Sequence, residues 1–218
     1  MTRFKICGLR DIDSALVSAD AGASLLGFAF VHGVRRQLTL EQGRAIIPRT
    51  ADQFGENRPG LVGLFADQDI DEVNGIIEAC GLEYAQLCGS EKPDYWEKVR
   101  AKVIRQTKVK TLASRQETVD AALAQIREVV SRGNIPQLDS YKEGAFGGTG
   151  HAFDWDVAAH LSRDYDVVLA GGLTPDNVAT AIRQVDPWMV DVSSGVETDG
   201  AKDHAKIRAF ADAVESAE

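Results

Sequence analysis

The chain has 218 residues, of which 44% are hydrophobic and 7% aromatic, so it can bury a sizeable core. Its formal net charge is −9 and it contains no basic run, which argues against nucleic acid or an anionic membrane surface as a partner. No apolar stretch approaches transmembrane length, and the one at the amino terminus is too short for a secretory signal. The odd number of cysteines, without metal-ligand spacing, predicts a soluble protein of a reducing cytoplasm: Cys7, Cys80 and Cys88.

Segments typical of strands and helices alternate along the whole chain. Eight short apolar runs bounded by turn residues predict buried strands at 3–7, 25–31, 60–66, 84–87, within 103–112, at 134–138, and in two runs that end at Gly171-Gly172 and at Ser193-Ser194-Gly195. Amphipathic segments between them predict helices at 11–22, 39–48, 69–80, 92–102, 115–132, near 154–161, after 174 and at 203–214. Residues 51–59 are polar and rich in helix breakers, and they predict a loop.

Residue types at the ends of these segments predict particular helix caps. Asp11 is placed to cap the first helix, and Thr39 with Gln42 has the spacing of a capping box. Gly81 follows the third helix, where a left-handed residue is common. Thr174 followed by Pro175 predicts an N-cap and a first helical position.

About eight strand–helix units predict one α/β domain spanning residues 1–218. A parallel sheet of this size either closes into a (β/α)8 TIM barrel or stays open and doubly wound. Because no GxGxxG pattern follows the first strand, the open dinucleotide-binding version is weakened. We therefore expect the eight-stranded parallel barrel, with its active site where strands end and helices begin.

Two strand ends in the last third of the chain predict an anion site. Glycine and serine follow both apolar runs, at Gly171-Gly172 and at Ser193-Ser194-Gly195, where backbone N–H groups can face a ligand. A helix start at Thr174 would add the positive end of a helix dipole. The pattern predicts a phosphate clamp, and the alternative is two ordinary strand-to-helix turns.

A thiol and a carboxyl group at other strand ends are candidates for proton transfer. Cys7 ends the first strand and Asp139 follows the sixth, so the barrel would place them at one rim. Such a pair can act as base and acid if its surroundings separate the two pKa values. A free cysteine is more often a small buried hydrophobe, and an aspartate after a strand is more often a turn residue. Arg35 and Arg36, after the second strand, are either substrate ligands or solvated loop charges.

Short motifs along nearly the whole chain resemble the phosphoribosylanthranilate isomerase family. They occur in the family's order: KICGL at 5–9, GFAF at 27–30, VGLF at 62–65, QLCG at 86–89, GGTG-x-x-FDW at 147–155, LAGGLTPDNV at 169–178 and DVSSGVE-x-x-G-x-KD at 191–203. The first and last of these are highly specific. Related phosphoribosyl isomerases with this barrel are described with an aspartate where Cys7 stands.

The resemblance implies the isomerase step of tryptophan biosynthesis, an Amadori rearrangement of N-(5′-phosphoribosyl)anthranilate without metal or organic cofactor. Asp139 would match the general acid that opens the ribose ring, and Cys7 the general base that removes the C2′ proton. Arg36 would match the arginine that binds the anthranilate carboxylate, with Arg35 as a possible substitute, and Asp191 would lie near the substrate. The phosphate would be held through the backbone of four residues: Gly171, Gly172, Ser194 and Gly195. The partner is then a small phosphorylated molecule, and the chain is expected to be a monomer or a homodimer.

Three positions depart from the family pattern. Cys88 stands where QLHG is usual, the loop GVRRQL stands where SPR is usual, and Gln137 stands where an apolar residue is common. A non-catalytic sugar-phosphate-binding barrel of the same family is the main alternative, although both Cys7 and Asp139 are present. A bifunctional isomerase that also acts in the histidine pathway is disfavoured, since it would need a carboxylate at position 7.

Overall fold

The computed structural model describes residues 2–54, 58–109, 112–140 and 155–217. Eight strands follow one another in chain order around a closed, parallel barrel, with helices between them. The predicted TIM barrel is therefore confirmed, and the open doubly wound sheet is excluded. Residues 144–150, a glycine-rich run that predicts a loop, lie outside the described residues.

The elements are named in chain order for the description below. The strands are β1 (Arg3–Cys7), β2 (Leu25–Ala29), β3 (Gly60–Phe65), β4 (Tyr84–Leu87), β5 (Lys102–Val109), β6 (Ile135–Ser140), β7 (Val168–Leu169), β8 (Met189–Val192), β9 (Glu197–Thr198) and β10 (Ala201–Lys202). The helices are α1 (Ile12–Asp20), α2 (Leu40–Phe54), α3 (Ile70–Cys80), α4 (Pro93–Trp96), α5 (Arg115–Ser131), α6 (Trp155–Ser162), α7 (Val178–Val185) and α8 (His204–Glu215).

The chain divides into two compact units, each of which has its own buried aromatic contacts. One contains residues 5–104, where the rings of Phe30 and Phe65 stack with centroids 5.8 Å apart. The other contains residues 2–4 together with the chain from Arg105 onward. In this unit the rings of Phe4 and Phe210 pack edge to face, with centroids 6.1 Å apart.

Three of the predicted helix caps are formed. The Asp11 carboxylate accepts the Ser14 N–H at 2.7 Å, and Thr39 and Gln42 exchange both bonds of a capping box. Gly81 follows α3 in the left-handed conformation, with φ of 65°. Thr174 is a correction, since α7 begins at Val178 after a turn and its N-cap is Asn177. The Thr174 carbonyl accepts the N–H of both Asn177 and Val178, so it opens that turn.

Helix α2 is longer than predicted. It continues through Pro48 to Phe54, so residues 51–54 are helical and not part of a loop. Proline removes one helical hydrogen bond, but the flanking Ile47 and Thr50 are buried at 0% and 1% exposure, and their packing favours continuation. The Thr50 hydroxyl also donates a hydrogen bond to the Ile46 carbonyl.

Helix α4 is shorter than predicted, because it ends at Trp96 instead of continuing to residue 102. The side chain of Asn74, on α3, donates to the Lys98 carbonyl at 3.0 Å and accepts the Arg100 N–H at 2.9 Å. These two bonds hold the chain in a turn beyond Trp96. Lys102, predicted as the helix end, is the first residue of β5.

A small hairpin near the carboxyl terminus was not predicted. Strands β9 and β10 pair antiparallel, with Lys202 opposite Glu197, around a turn at Asp199 and Gly200. Both turn residues have positive φ, 50° and 80°, as a two-residue hairpin of the primed type requires.

Candidate active site

Cys7 is the last residue of β1 and is 5% exposed. Its neighbour across β2 is Gly27, and a Cβ built there would lie 3.1 Å from the Cys7 Sγ, the Cys7 Cα and the Lys5 Cε. The missing side chain of Gly27 is thus the space in which the thiol and the lysine stem pack. A side chain at this position would therefore force its neighbours to move by a few tenths of an ångström.

A buried lysine lies two residues before Cys7 on the same strand. Lys5 is 0% exposed, and its ammonium group donates to the Gln86 Oε1 at 2.9 Å. The Nε2 of Gln86 then approaches the Cys88 Sγ at 3.5 Å. This chain of contacts fixes the orientation of the Gln86 amide, with its oxygen toward the cation and its nitrogen toward the thiol.

Cys88 stands where histidine is usual in the family, and its surroundings keep it protonated. Burial raises the pKa of the Cys88 thiol to about 12, with smaller contributions from the nearby Cys7 and Glu91, while Gln86 and Lys5 oppose the rise. A thiol with this pKa is neutral at physiological pH. It therefore does not supply the charge that a histidine could carry at this place.

The loop after β2 is organised by Gln37. Its side chain accepts the Gly33 N–H at 2.9 Å and contacts the His32 Nδ1 at 3.2 Å, and residue 37 forms an isolated bridge with Ala29. Arg36, next to this anchor, is half-buried, whereas Arg35 is exposed and its carbonyl accepts from Arg10. The two arginines therefore differ in exposure, although they are neighbours in the sequence.

Two buried carboxylates each accept a hydrogen bond from a glutamine amide on another strand. Asp139 lies within β6, one residue before its end, and not after the strand as predicted; it accepts from Gln106 of β5. Asp191, on β8, accepts from the Gln137 Nε2 at 3.0 Å. All four side chains are buried, with exposures of 7% or less. Each carboxylate is thus oriented by a glutamine side chain, and the order of the strands alone does not predict which one.

The two predicted anion-binding segments lie against each other. Gly171 and Gly172 have φ of 89° and 72°, and both are partly exposed, as are Ser194 and Gly195. A Cβ at Gly195 would lie 1.9 Å from the Leu173 carbonyl oxygen, so only glycine permits this approach. Ser194–Val196 form a single 3-10 turn after β8. The structure therefore brings all four predicted phosphate-binding residues to one place.

Asn177 holds the first of these segments in shape. Its side chain accepts the Thr174 N–H at 2.8 Å and donates to the Gly172 carbonyl at 3.0 Å. The LTPDN motif indicates that a helix starts nearby. Only the structure shows which backbone groups form hydrogen bonds with Asn177.

The predicted site residues are divided between the two compact units. Cys7 and Arg36 belong to the unit of residues 5–104; the carboxylates and the phosphate-binding segments belong to the other. The contacts of Lys5, Gln86 and Gln106 were not predicted. The available signal is that each is a polar residue within a segment predicted to be a buried strand. No three His, Cys, Asp or Glu side chains group as metal ligands in the described part of the chain, and no helix there could cross a membrane.

Chemically, one unit supplies a buried thiol, and the other supplies two buried carboxyl groups and two adjoining glycine- and serine-bearing segments. General acid–base catalysis of an isomerisation needs one group that delivers a proton and one that removes it. Phosphate bound away from the reacting carbons can hold a sugar in a reactive pose.

Comparisons with known proteins identify the family. Residues 4–213 match the model of the N-(5′-phosphoribosyl)anthranilate (PRA) isomerase family. The chain is 42% identical to the N-(5′-phosphoribosyl)anthranilate isomerase of Desulforudis audaxviator over 214 residues, which is 96% of each chain.

Solved structures agree with the sequence comparison. Monomers derived from the dimeric Thermotoga maritima enzyme match with a TM-score of 0.81 at 29% identity, over 99% of this chain and 100% of the other. A phosphoribosylanthranilate isomerase in complex with reduced 1-(o-carboxyphenylamino)-1-deoxyribulose 5-phosphate matches with a TM-score of 0.80 at 30% identity, over the same shares. The chain belongs to the phosphoribosylanthranilate isomerase family.

Proposed function

We propose that this chain converts N-(5′-phosphoribosyl)anthranilate into 1-(2-carboxyphenylamino)-1-deoxyribulose 5-phosphate in tryptophan biosynthesis. The observation that carries the proposal is the family match over residues 4–213, in a chain that has both a thiol on β1 and a carboxyl group on β6. The solved relative that holds a reduced product analogue supports the substrate class.

In the proposed mechanism Asp139 is the general acid. It protonates the ribose ring oxygen, the C1′–O bond breaks, and the ring opens to a Schiff base. Cys7 is the general base: its thiolate takes the C2′ proton, which leaves an enolamine that tautomerises to the ketone. No atom is gained or lost in the sum, since one proton is delivered and one is removed.

The remaining residues are proposed to bind the substrate. Arg36 pairs with the anthranilate carboxylate, a role suited to the planar guanidinium fork, and its half-burial beside the Gln37 anchor favours it over Arg35. Asp191 is proposed to lie near the sugar. The phosphate is bound by backbone groups of the two segments already described: Gly171, Gly172, Ser194 and Gly195.

The activity is tested by following the fluorescence of phosphoribosylanthranilate with the purified protein. We expect its decay to be accelerated in proportion to enzyme concentration, with the rearranged product identified by mass and chromatography. Decay no faster than in buffer, together with measurable binding of the phosphorylated substrate, would support a non-catalytic sugar-phosphate-binding barrel instead.

The roles are tested by Cys7→Ser and Asp139→Asn. A serine hydroxyl is a far weaker base than a thiolate and an amide cannot deliver the proton, so kcat should fall by about 10²-fold or more in each. Binding of inorganic phosphate, measured by calorimetry, should stay within about twofold of the wild type, since neither residue is in the clamp. Near-normal kcat in either variant would overturn that assignment. Arg36→Ala should raise KM more than the matched Arg35→Ala.

We further propose that the chain works in the cytoplasm as a monomer or a homodimer. None of its three cysteines forms a disulfide, in keeping with a reducing compartment, and the Thermotoga maritima relative is described as dimeric. Light scattering of the purified protein during gel filtration should give a mass of one or two chains, and a larger assembly would contradict this.

A further inference from the structure

A buried ion pair lies directly beside the phosphate-binding turn. The Lys202 ammonium donates to the Glu197 carboxylate at 2.9 Å, and the two side chains are only 3% and 6% exposed. The β9–β10 hairpin sets these residues opposite each other. Taking two charges out of water is costly, so such a pair is retained where its geometry is good and its other hydrogen bonds are satisfied.

The same ammonium group has a second partner in the chain's phosphate-binding segment. It donates to the backbone carbonyl of Ser193 at 2.8 Å. In a trans peptide the C=O of one residue and the N–H of the next point in opposite directions. Fixing the Ser193 carbonyl on Lys202 therefore turns the Ser194 N–H away from the lysine and fixes its direction.

Neighbouring bonds hold the far side of the turn. Lys206 donates to the Glu197 carbonyl at 2.8 Å, and the Asp203 N–H binds the Val196 carbonyl at 2.9 Å. The Asp203 carboxylate caps α8 and also accepts the Thr198 hydroxyl. The 3-10 turn is thereby tied at both ends to the hairpin and to the start of α8.

We propose that Lys202, held in place by Glu197, is a positioning residue of the phosphate clamp: it orients the Ser193–Ser194 peptide so that the Ser194 N–H faces the substrate phosphate. This inference rests on the proposed function for the identity of the substrate. It does not rest on catalysis, because the clamp can be probed with inorganic phosphate alone.

The central test is the double variant Glu197→Leu/Lys202→Met. Replacing both members with apolar side chains leaves no unpaired buried charge, so we expect a folded protein. The donor to Ser193 is nevertheless lost. We expect KM for phosphoribosylanthranilate and the inhibition constant of inorganic phosphate each to rise by about tenfold or more, while kcat stays within about threefold.

A readout at the opposite end of the substrate separates positioning from general damage. Inhibition by anthranilate, which has no phosphate, should be unchanged in the double variant. The control is Lys98→Met, at an exposed lysine distant in sequence from Lys202. It should leave KM, kcat and the inhibition constants of phosphate and anthranilate unchanged. Unaltered KM and unaltered phosphate inhibition in the folded double variant would overturn the proposal.

Two further measurements keep the test decisive. If the double variant does not fold, Lys202→Arg keeps the charge but displaces the donor; a several-fold weaker inhibition by phosphate is expected, and wild-type inhibition would overturn the proposal. If the wild type shows no isomerase activity, calorimetry with inorganic phosphate compares the same proteins. In that case the proposed function fails, while loss of phosphate binding in the variants still supports the role of Lys202.

Discussion

At the scale of single residues, Cys7 and Cys88, two of the three cysteines in the unit of residues 5–104, differ in their surroundings rather than in their chemistry. Cys7 packs in the space left by Gly27, beside the stem of a fully buried lysine. Cys88 contacts the amide of Gln86, and burial raises its pKa to about 12. Identical side chains thus become a candidate base in one place and an inert thiol in the other.

Gly27→Ala tests how closely the position of Cys7 is specified. The new methyl group would lie 3.1 Å from the Cys7 Sγ, so the thiol must shift. Since small displacements of a reacting group cost up to about 10²-fold in rate, we expect kcat to fall by at least about tenfold. Gly75→Ala is the control, because a Cβ there meets nothing within 4 Å, and it should leave kcat unchanged. Equal kcat in both variants would contradict the prediction.

Cys88 should make the protein less stable in alkali. In the unfolded chain a cysteine ionises near pH 8.5, whereas folding raises the pKa of Cys88 to about 12. Between these values the folded state retains a proton that the unfolded state loses, so the stabilising contribution is complete below about pH 8 and falls as the pH rises.

The measurement compares urea unfolding of the wild type and Cys88→Ala at pH 7, 9 and 10. Above about pH 9 the wild type should lose up to about 1.4 kcal/mol more per pH unit than the variant, because the other titrating groups are common to both. Parallel pH profiles would show that the thiol is not shielded as described.

At the scale of elements, the structure shows how a distant side chain ends a helix. Asn74, which is 6% exposed, binds two backbone groups just beyond α4, at Lys98 and Arg100. Its amide replaces the backbone partners that a continuing helix would have provided. The chain is then released into β5 at Lys102.

Asn74→Ala should therefore destabilise the protein without touching the site residues. Two backbone groups lose part-buried hydrogen bonds, and we expect a loss of about 2 kcal/mol in the free energy of unfolding. Glu78→Ala, on an exposed position of the same helix, should change it by less than about 0.5 kcal/mol. Urea titration measures both, and equal midpoints would contradict the role given to Asn74.

At the scale of the whole molecule, we propose that residues 1–218 are a single domain. The support is that strands β1 to β8 form a closed barrel, so none of them is an edge strand. A barrel cut into halves would expose strand edges on both.

Tryptophan fluorescence tests this proposal directly. Trp96 belongs to the unit of residues 5–104, whereas Trp155 and Trp188 belong to the other. Trp96→Phe and the double variant Trp155→Phe/Trp188→Phe each leave reporters in one unit only. In each variant we expect the urea midpoint measured by tryptophan fluorescence to equal the midpoint measured by far-ultraviolet circular dichroism. Separate midpoints for the two reporters would show two domains.

The sequence by itself determined what depends on local pattern. Apolar runs and helical periodicity predicted the eight strands and most helices, since these signals act over a few residues. Caps at Asp11, Thr39 and Gly81 were predictable for the same reason. Glycine and serine at 171–172 and 193–195 predicted an anion site, which stays a prediction, and motif order indicated the family.

Only the tertiary structure decided which distant groups meet. Gln106 and Asp139 are 33 residues apart, Gln137 and Asp191 are 54 apart, and Lys5 and Gln86 are 81 apart. No periodicity links such pairs, because barrel closure and not chain proximity sets their contact. The early end of α4 at Asn74 and the peptide held by Lys202 have the same origin. Local sequence thus predicted where the candidate groups lie, and long-range packing determined how each is oriented.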